Sequence, residues 1–237
     1  MYKRQEIEGA GTSTIVIRGR RELGGAQHSI IGDRIEAATY LLAGAMTGGN
    51  ISIHGLCRSS ANGAVDSLLG GLPEFLVAAG CRVEISENII SVAASSRLRA
   101  ASFASAPYPG IATDIQPLLM AALTVAEGTS VVTETVFENR FGHVAEYRRL
   151  GADIVVDGRT AIVNGKSKLS GAPVEVADIR AGAGLVLLGL VAQGVTEIQD
   201  IYHLDRGYEL LVEKFSALGA RLSRIPLHEQ RELVVGW

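Results

Sequence analysis

The sequence predicts an α/β protein made of three βαβαββ repeats, and three observations carry that prediction. An apolar helix opened by aspartate recurs at Asp33-Arg34-Ile35-Glu36, Asp114-Ile115-Gln116 and Asp178-Ile179-Arg180. Each is followed by a glycine turn and a strand-like run: Gly48-Gly49 before Asn50-Ile51-Ser52-Ile53, Glu127-Gly128 before Ser130-Val131-Val132-Thr133, and Gln193-Gly194 before Val195-Thr196-Glu197-Ile198. Each copy then reaches a second helix that stops at a glycine, at Gly80, Gly151 and Gly219. A period of roughly 70 residues exceeds that of solenoid repeats, so each copy is a substantial subunit rather than one turn of an array.

The elements read most clearly in the third copy. Pro173-Val174-Glu175-Val176 is strand-like, a helix starts at Asp178, and a strand covers residues 196–200. A second helix is expected over residues 207–218, with Leu210, Leu211, Phe215 and Leu218 near helical spacing. Gly219 stands where a terminating glycine belongs, and residues 221–225 alternate as a strand. The second copy repeats the order: a helix from Asp114, a strand at 130–133, a helix at 141–150 and a strand at 153–156. There Asp157-Gly158 turns a hairpin into residues 160–164. The first copy is looser, and Gly70-Gly71-Leu72-Pro73 is expected to break its second helix. Thr14-Ile15-Val16-Ile17-Arg18-Gly19 reads as a strand without a first half. Residues 1–24 are therefore expected to be the tail of an upstream domain, ahead of one domain over 25–237 with repeats at about 25–95, 105–165 and 170–237.

Composition narrows the function. The formal net charge is −3 with no basic run, which argues against a nucleic-acid footprint. Cys57 and Cys81 have neither metal spacing nor a disulfide framework, as in a reducing cytosol. The longest apolar stretch, residues 181–192, is glycine-interrupted and too short to span a bilayer, and residues 1–11 hold no signal-peptide core. The expectation is a cytoplasmic protein with no membrane or nucleic-acid partner, no metal and no cofactor.

In parallel βα units the strand-to-helix junctions gather outside the strand carboxyl ends, where ligands bind. This places Asp33, Asp114 and Asp178 near one surface, joined by Arg140 and Arg206 from the junctions before the second helices. Helix N-termini facing one way suit phosphate or carboxylate, so the pattern reads as an anion-binding face with acidic groups able to move protons. Simpler readings stand beside it. Each aspartate can be a plain N-cap, Asp178 and Arg180 a local ion pair, and the two arginines solvated. His143 and His203 read as scaffold, and Cys57 beside Arg58 as an ordinary thiol. The glycines match neither dinucleotide nor Walker spacing.

The strings Thr113-Asp114-Ile115-Gln116, Glu134-Thr135-Val136-Phe137-Glu138-Asn139-Arg140-Phe141, Asp178-Ile179-Arg180-Ala181 and Ile201-Tyr202-His203-Leu204-Asp205-Arg206-Gly207-Tyr208-Glu209 closely resemble the UDP-N-acetylglucosamine 1-carboxyvinyltransferases, a branch of the enolpyruvyl transferases. The resemblance runs over nearly the whole chain. It implies an inside-out α/β barrel, one of two such domains with the active site between them. It also implies transfer of the enolpyruvyl group of phosphoenolpyruvate to the 3′-hydroxyl of UDP-N-acetylglucosamine in peptidoglycan synthesis. By the same resemblance Asp114 takes the hydroxyl proton and contacts the sugar, Val136 meets the UDP-sugar, and Arg180 and Arg206 serve the phosphoenolpyruvate side. Arg140 and Asp178 match polar groups of the site, and Asp33 an acidic cleft residue.

The resemblance has departures. The family's domain with the catalytic cysteine loop is not found in the sequence, so the chain reads as an incomplete or split enzyme, inactive alone, whose partner is a separate first-domain chain. Gly142 and Ile111-Ala112 replace bulkier family residues. The alternatives are a noncatalytic UDP-sugar-binding or structural module, or a transferase like 5-enolpyruvylshikimate-3-phosphate synthase. In the family the last sheet of this domain is completed by residues far upstream. Here residues 232–237 alternate weakly and are expected to pair with 221–225 and fill the vacated edge.

Overall fold

The structure, a computed structural model, describes residues 6–10, 12–19, 21–22, 24–25, 27–59, 65–227 and 230–236. The chain divides into two compact units, Met1–Ile31 and Gly32–Trp237. In the first, β1 (Glu6–Glu8) pairs antiparallel with β2 (Val16–Arg18), so the strand read as lacking a first half has a partner within its own unit.

The second unit opens with α1 (Arg34–Thr47), whose N-terminus is capped by the Asp33 carboxylate accepting from the Ile35 and Glu36 amides. β3 (Asn50–His54) follows. Next come β4 (Cys57–Ser59) and β5 (Val65–Ser67), an antiparallel pair absent from the other copies. They account for the extra length of the first repeat. The expected break at Gly70–Pro73 is in fact a helix start: α2 (Leu72–Ala78) carries Pro73 in its first turn, where a missing N–H costs nothing. β6 (Arg82–Ser86) and β7 (Ile89–Ala93) end the copy.

The second copy runs β8 (Phe103–Ala104), α3 (Gln116–Thr124), β9 (Thr129–Thr133), α4 (Val144–Arg149), β10 (Asp153–Asp157) and β11 (Thr160–Asn164). The third runs β12 (Pro173–Glu175), α5 (Ile179–Gly189), β13 (Val195–Gln199), α6 (Tyr202–Asp205), α7 (Leu211–Ala217), β14 (Leu222–Leu227) and β15 (Gln230–Gly236). The helix expected over 207–218 is shorter than that: α7 starts only at Leu211, after Leu210 in a left-handed backbone with φ 50°, and the separate α6 lies ahead of the expected span. Gly80, Gly151 and Gly219 end the second helices at φ 95°, 92° and 95°, a conformation open to glycine and costly for other residues.

The three copies build their sheets alike. The orders are β3-β7-β6, β8-β9-β11-β10 and β12-β13-β15-β14. In each, the last strand of the copy inserts antiparallel between the two before it. β8 and β12 add a parallel strand beside β9 and β13. The first copy departs from the expected βαβαββ unit: among the described residues no strand lies beside β3 ahead of α1. The expectation for the C-terminal run holds in pairing and fails in place. β15 pairs with β14 from Leu222↔Val235 to Leu227↔Gln230, yet it also pairs with β13, so it is an interior strand and not an edge.

The apolar first helices α1, α3 and α5 pack on one another and form the core, every residue of α3 being buried. Small residues permit this closeness. A Cβ on Gly184 of α5 would stand 1.7 Å from the Tyr147 hydroxyl, which reaches under α5 to donate to the Pro117 carbonyl at 3.0 Å.

Candidate active site

The three repeat aspartates do different work. Asp33 and Asp178 cap α1 and α5, each with one carboxylate oxygen accepting two backbone amides, as their helix-opening positions predict. Asp114 caps nothing. It lies in the turn of residues 113–115, and α3 begins beyond it with Ile115 at the N-cap position and no side-chain cap. Its carboxylate is spent on two cations instead. Arg140 Nη2 donates to Oδ1 at 2.8 Å and Arg180 Nη2 to Oδ2 at 3.3 Å. The two guanidinium side chains are 24% and 18% exposed against 42% for Asp114, so a part-open carboxylate sits in a shielded cationic clamp.

Each cation is held from behind. Arg180 donates its backbone amide to the Asp178 cap at 2.8 Å, and its charge is felt at the Tyr208 hydroxyl. Tyr208 is buried, and its hydroxyl pairs with that of Thr39 on α1 at 2.9 Å. The Asp33 charge is also felt at Tyr208, so residues of all three copies converge here. Arg140 lies 5.4 Å from the centre of the Phe137 ring, and its Nε is buried.

His143 is 2% exposed, between Phe141 and Tyr147. Burial pushes its pKa down to about 4, opposed by the nearby Asp178 charge, so the ring is neutral at neutral pH and serves as scaffold. The thiol of Cys81 is buried and pushed up by burial, the opposite of an activated nucleophile.

The structure thus brings Asp114, Arg140, Arg180 and Asp178 together and puts Asp33 within electrostatic reach. Val136 is exposed on the loop that carries Arg140. Arg206 stands apart. It is exposed at the end of α6 with its guanidinium 6.0 Å from the centre of the Tyr202 ring, and among the described residues it has no ion pair. Sequence reasoning passed over Glu134, Tyr208 and Thr39. Glu134 offered one signal, an acidic residue ending the apolar run of β9, where a charge needs partners. No group of His, Cys, Asp and Glu among the described residues is arranged to hold a metal ion, and none of their helices is long and apolar enough to cross a membrane.

Comparison with known proteins shows the family to which the chain belongs. The chain is 49% identical over 220 residues to UDP-N-acetylglucosamine 1-carboxyvinyltransferase 1 of Caldanaerobacter subterraneus subsp. tengcongensis, covering 92% of this chain and 51% of that one. It is 49% identical over 223 residues to UDP-N-acetylglucosamine 1-carboxyvinyltransferase of Coxiella burnetii, covering 94% and 50%. The crystal structure of the enolpyruvyl transferase NikO from Streptomyces tendae superposes with a TM-score of 0.74 at 32% identity, over 92% of this chain and 50% of that one. The chain thus spans about half the length of the curated relatives it matches. Residues 4–215 fit the sequence pattern of one family, and with the shared fold they identify the chain as a member of the EPSP synthase (3-phosphoshikimate 1-carboxyvinyltransferase) family.

Proposed function

We propose that this chain provides one half of an enolpyruvyl transferase site, moving the enolpyruvyl group of phosphoenolpyruvate to the 3′-hydroxyl of UDP-N-acetylglucosamine for cytoplasmic peptidoglycan synthesis. The observation that carries the reading is the Asp114 carboxylate, free of capping duty and clamped by Arg140 and Arg180. In the reaction the sugar oxygen bonds to C2 of phosphoenolpyruvate and loses its proton while C3 gains one, and the tetrahedral adduct then collapses as C3 gives a proton back to a base, the C2–C3 double bond re-forms and the C2–O bond to phosphate breaks. Asp114 is the base for the hydroxyl proton, oriented by its two cations. Arg180 and Arg206 would supply positive charge to the phosphate and carboxylate of phosphoenolpyruvate, with Arg140 a further polar group of the site beside Asp114. Val136 contacts the UDP-sugar, and the Asp33 and Asp178 caps fix the helix ends that form the floor.

Behind this reading stands the architecture of three buried helices with sheets around them, which we take as an inside-out α/β barrel. Such a site is open on one side, and the part of the relatives beyond this match supplies the other, in the same or a separate chain. The test is phosphate release with phosphoenolpyruvate and UDP-N-acetylglucosamine, with and without the complementary half of a relative. Background release alone and turnover with the added half are expected. No turnover with the added half, together with no binding of UDP-N-acetylglucosamine, would overturn the proposal.

A further inference from the structure

Glu134 is 1% exposed, yet its carboxylate is among the most fully engaged groups in the chain. Oε1 accepts from Ser105 Oγ at 2.7 Å, from the Val136 amide at 2.7 Å and from the Phe137 amide at 3.1 Å. Oε2 accepts from Thr113 Oγ1 at 2.9 Å. Its backbone is fixed as well: the Glu134 amide donates to the Arg159 carbonyl and Arg159 Nε to the Glu134 carbonyl, both at 2.8 Å. Burial alone would raise its pKa, but the bonds from Ser105, Phe137, Val136 and Thr113 outweigh burial and hold it below the ordinary carboxylate range. It is therefore a buried anion whose four donors come from three separate segments.

Two of those segments carry the candidate site. Thr113 immediately precedes Asp114, whose turn has no cap of its own. Val136 and Phe137 begin the loop that ends at Arg140, and Phe137 lies under the Arg140 guanidinium. One carboxylate thus ties the turn bearing the base to the loop bearing its cation. A catalytic pair needs that relation fixed to within a fraction of an ångström, and neither segment is regular secondary structure.

We propose that Glu134 is a positioning residue that sets the distance between Asp114 and Arg140 and with it the seat of the UDP-sugar. The inference rests on the proposed transferase reading for its ligand, but not for its geometry.

Two measurements separate those dependences. The buried Arg140 Nε–H should give a side-chain NMR signal that needs no ligand, and titration with UDP-N-acetylglucosamine reports the seat. Glu134→Gln keeps one oxygen for three of the donors and lets the Thr113 hydroxyl turn to accept from the new amide. It should retain the Arg140 signal and bind within threefold of wild type. Glu134→Ala should shift or broaden that signal and weaken binding at least tenfold. Val163→Ala, a core truncation on the same sheet, controls for stability and should leave the signal in place at a similar loss of Tm.

If Glu134→Ala does not fold, Thr113→Val decides, since it cuts only the link to the Asp114 turn. An unmoved Arg140 signal in the folded variant overturns the inference. Absent UDP-sugar binding by wild type counts against the transferase reading alone, because the Arg140 signal still decides for Glu134.

Discussion

Asp114 and its counterparts Asp33 and Asp178 occupy the same place in the repeat and meet opposite fates. The counterparts spend their charge locally, each accepting two amides of its own helix. Asp114 spends its charge across the fold, on arginines 26 and 66 residues away in the chain. In a molecule built by repetition, the copy that departs from the local rule shows where a side chain has been freed from the work of folding. The departure has a cause in sequence. Pro117 follows in the first turn of α3 and supplies no N–H, so this helix start offers fewer donors to a cap.

The largest effect that can break this comparison is on turnover. In an enzyme assembled with the complementary half of a relative, Asp114→Asn should lower turnover by about 10²–10⁴-fold while UDP-sugar binding persists. Steady-state kinetics and a binding titration on one preparation check it. Turnover within about threefold of wild type would make Asp114 no more special than its counterparts.

A second measurement sharpens the contrast between a carboxylate facing cations and one near a neutral ring. His143, within electrostatic reach of Asp178, has its folded pKa lowered to about 4. The unfolded chain binds that proton more readily, near the ordinary 6.5. The stability contribution is therefore complete above about pH 6.5 and declines as pH falls toward 4, by up to about 3 kcal/mol. Denaturant melts between pH 7 and 4 should show His143→Gln losing less stability than wild type over that window. Parallel curves would show that the histidine is not buried as described.

The smallest effects test the caps themselves. Asp33→Ala and Asp178→Ala should each cost about 1 kcal/mol. Asp114→Asn should cost less, because a part-exposed ion pair is worth about 0–1 kcal/mol and its loss frees no helix amide. Thermal unfolding of the three variants gives the ranking, and an Asp114→Asn melt as depressed as the other two would erase the distinction.

The sequence disclosed the repeats because their marks are local. An aspartate at a helix start and a glycine at a helix end need no distant partner to be read, and Gly80, Gly151 and Gly219 all hold the expected backbone. Asp114 was legible as a position but not in its duty, since capping and clamping leave the same letter in the chain. Glu134 stayed hidden for a related reason: its donors Ser105 and Thr113 are 29 and 21 residues away, and only the fold brings them to it. The pairing of β4 with β5 and the late start of α7 after Leu210 likewise lacked a local signal, there being no turn glycine at Leu210 and no clear alternation from Cys57 to Ser67.

In each sheet the middle strand arrives last. β13 and β14 share no ladder of their own and are joined only when β15 slides between them, as β7 joins β3 to β6 and β11 joins β9 to β10. During synthesis a copy can form its helices early, yet its sheet stays unlocked until its final residues have left the ribosome. The chain is thus made in three instalments of about one repeat each, with two strand edges of the unfinished copy exposed to wrong partners until the next few seconds of translation close them.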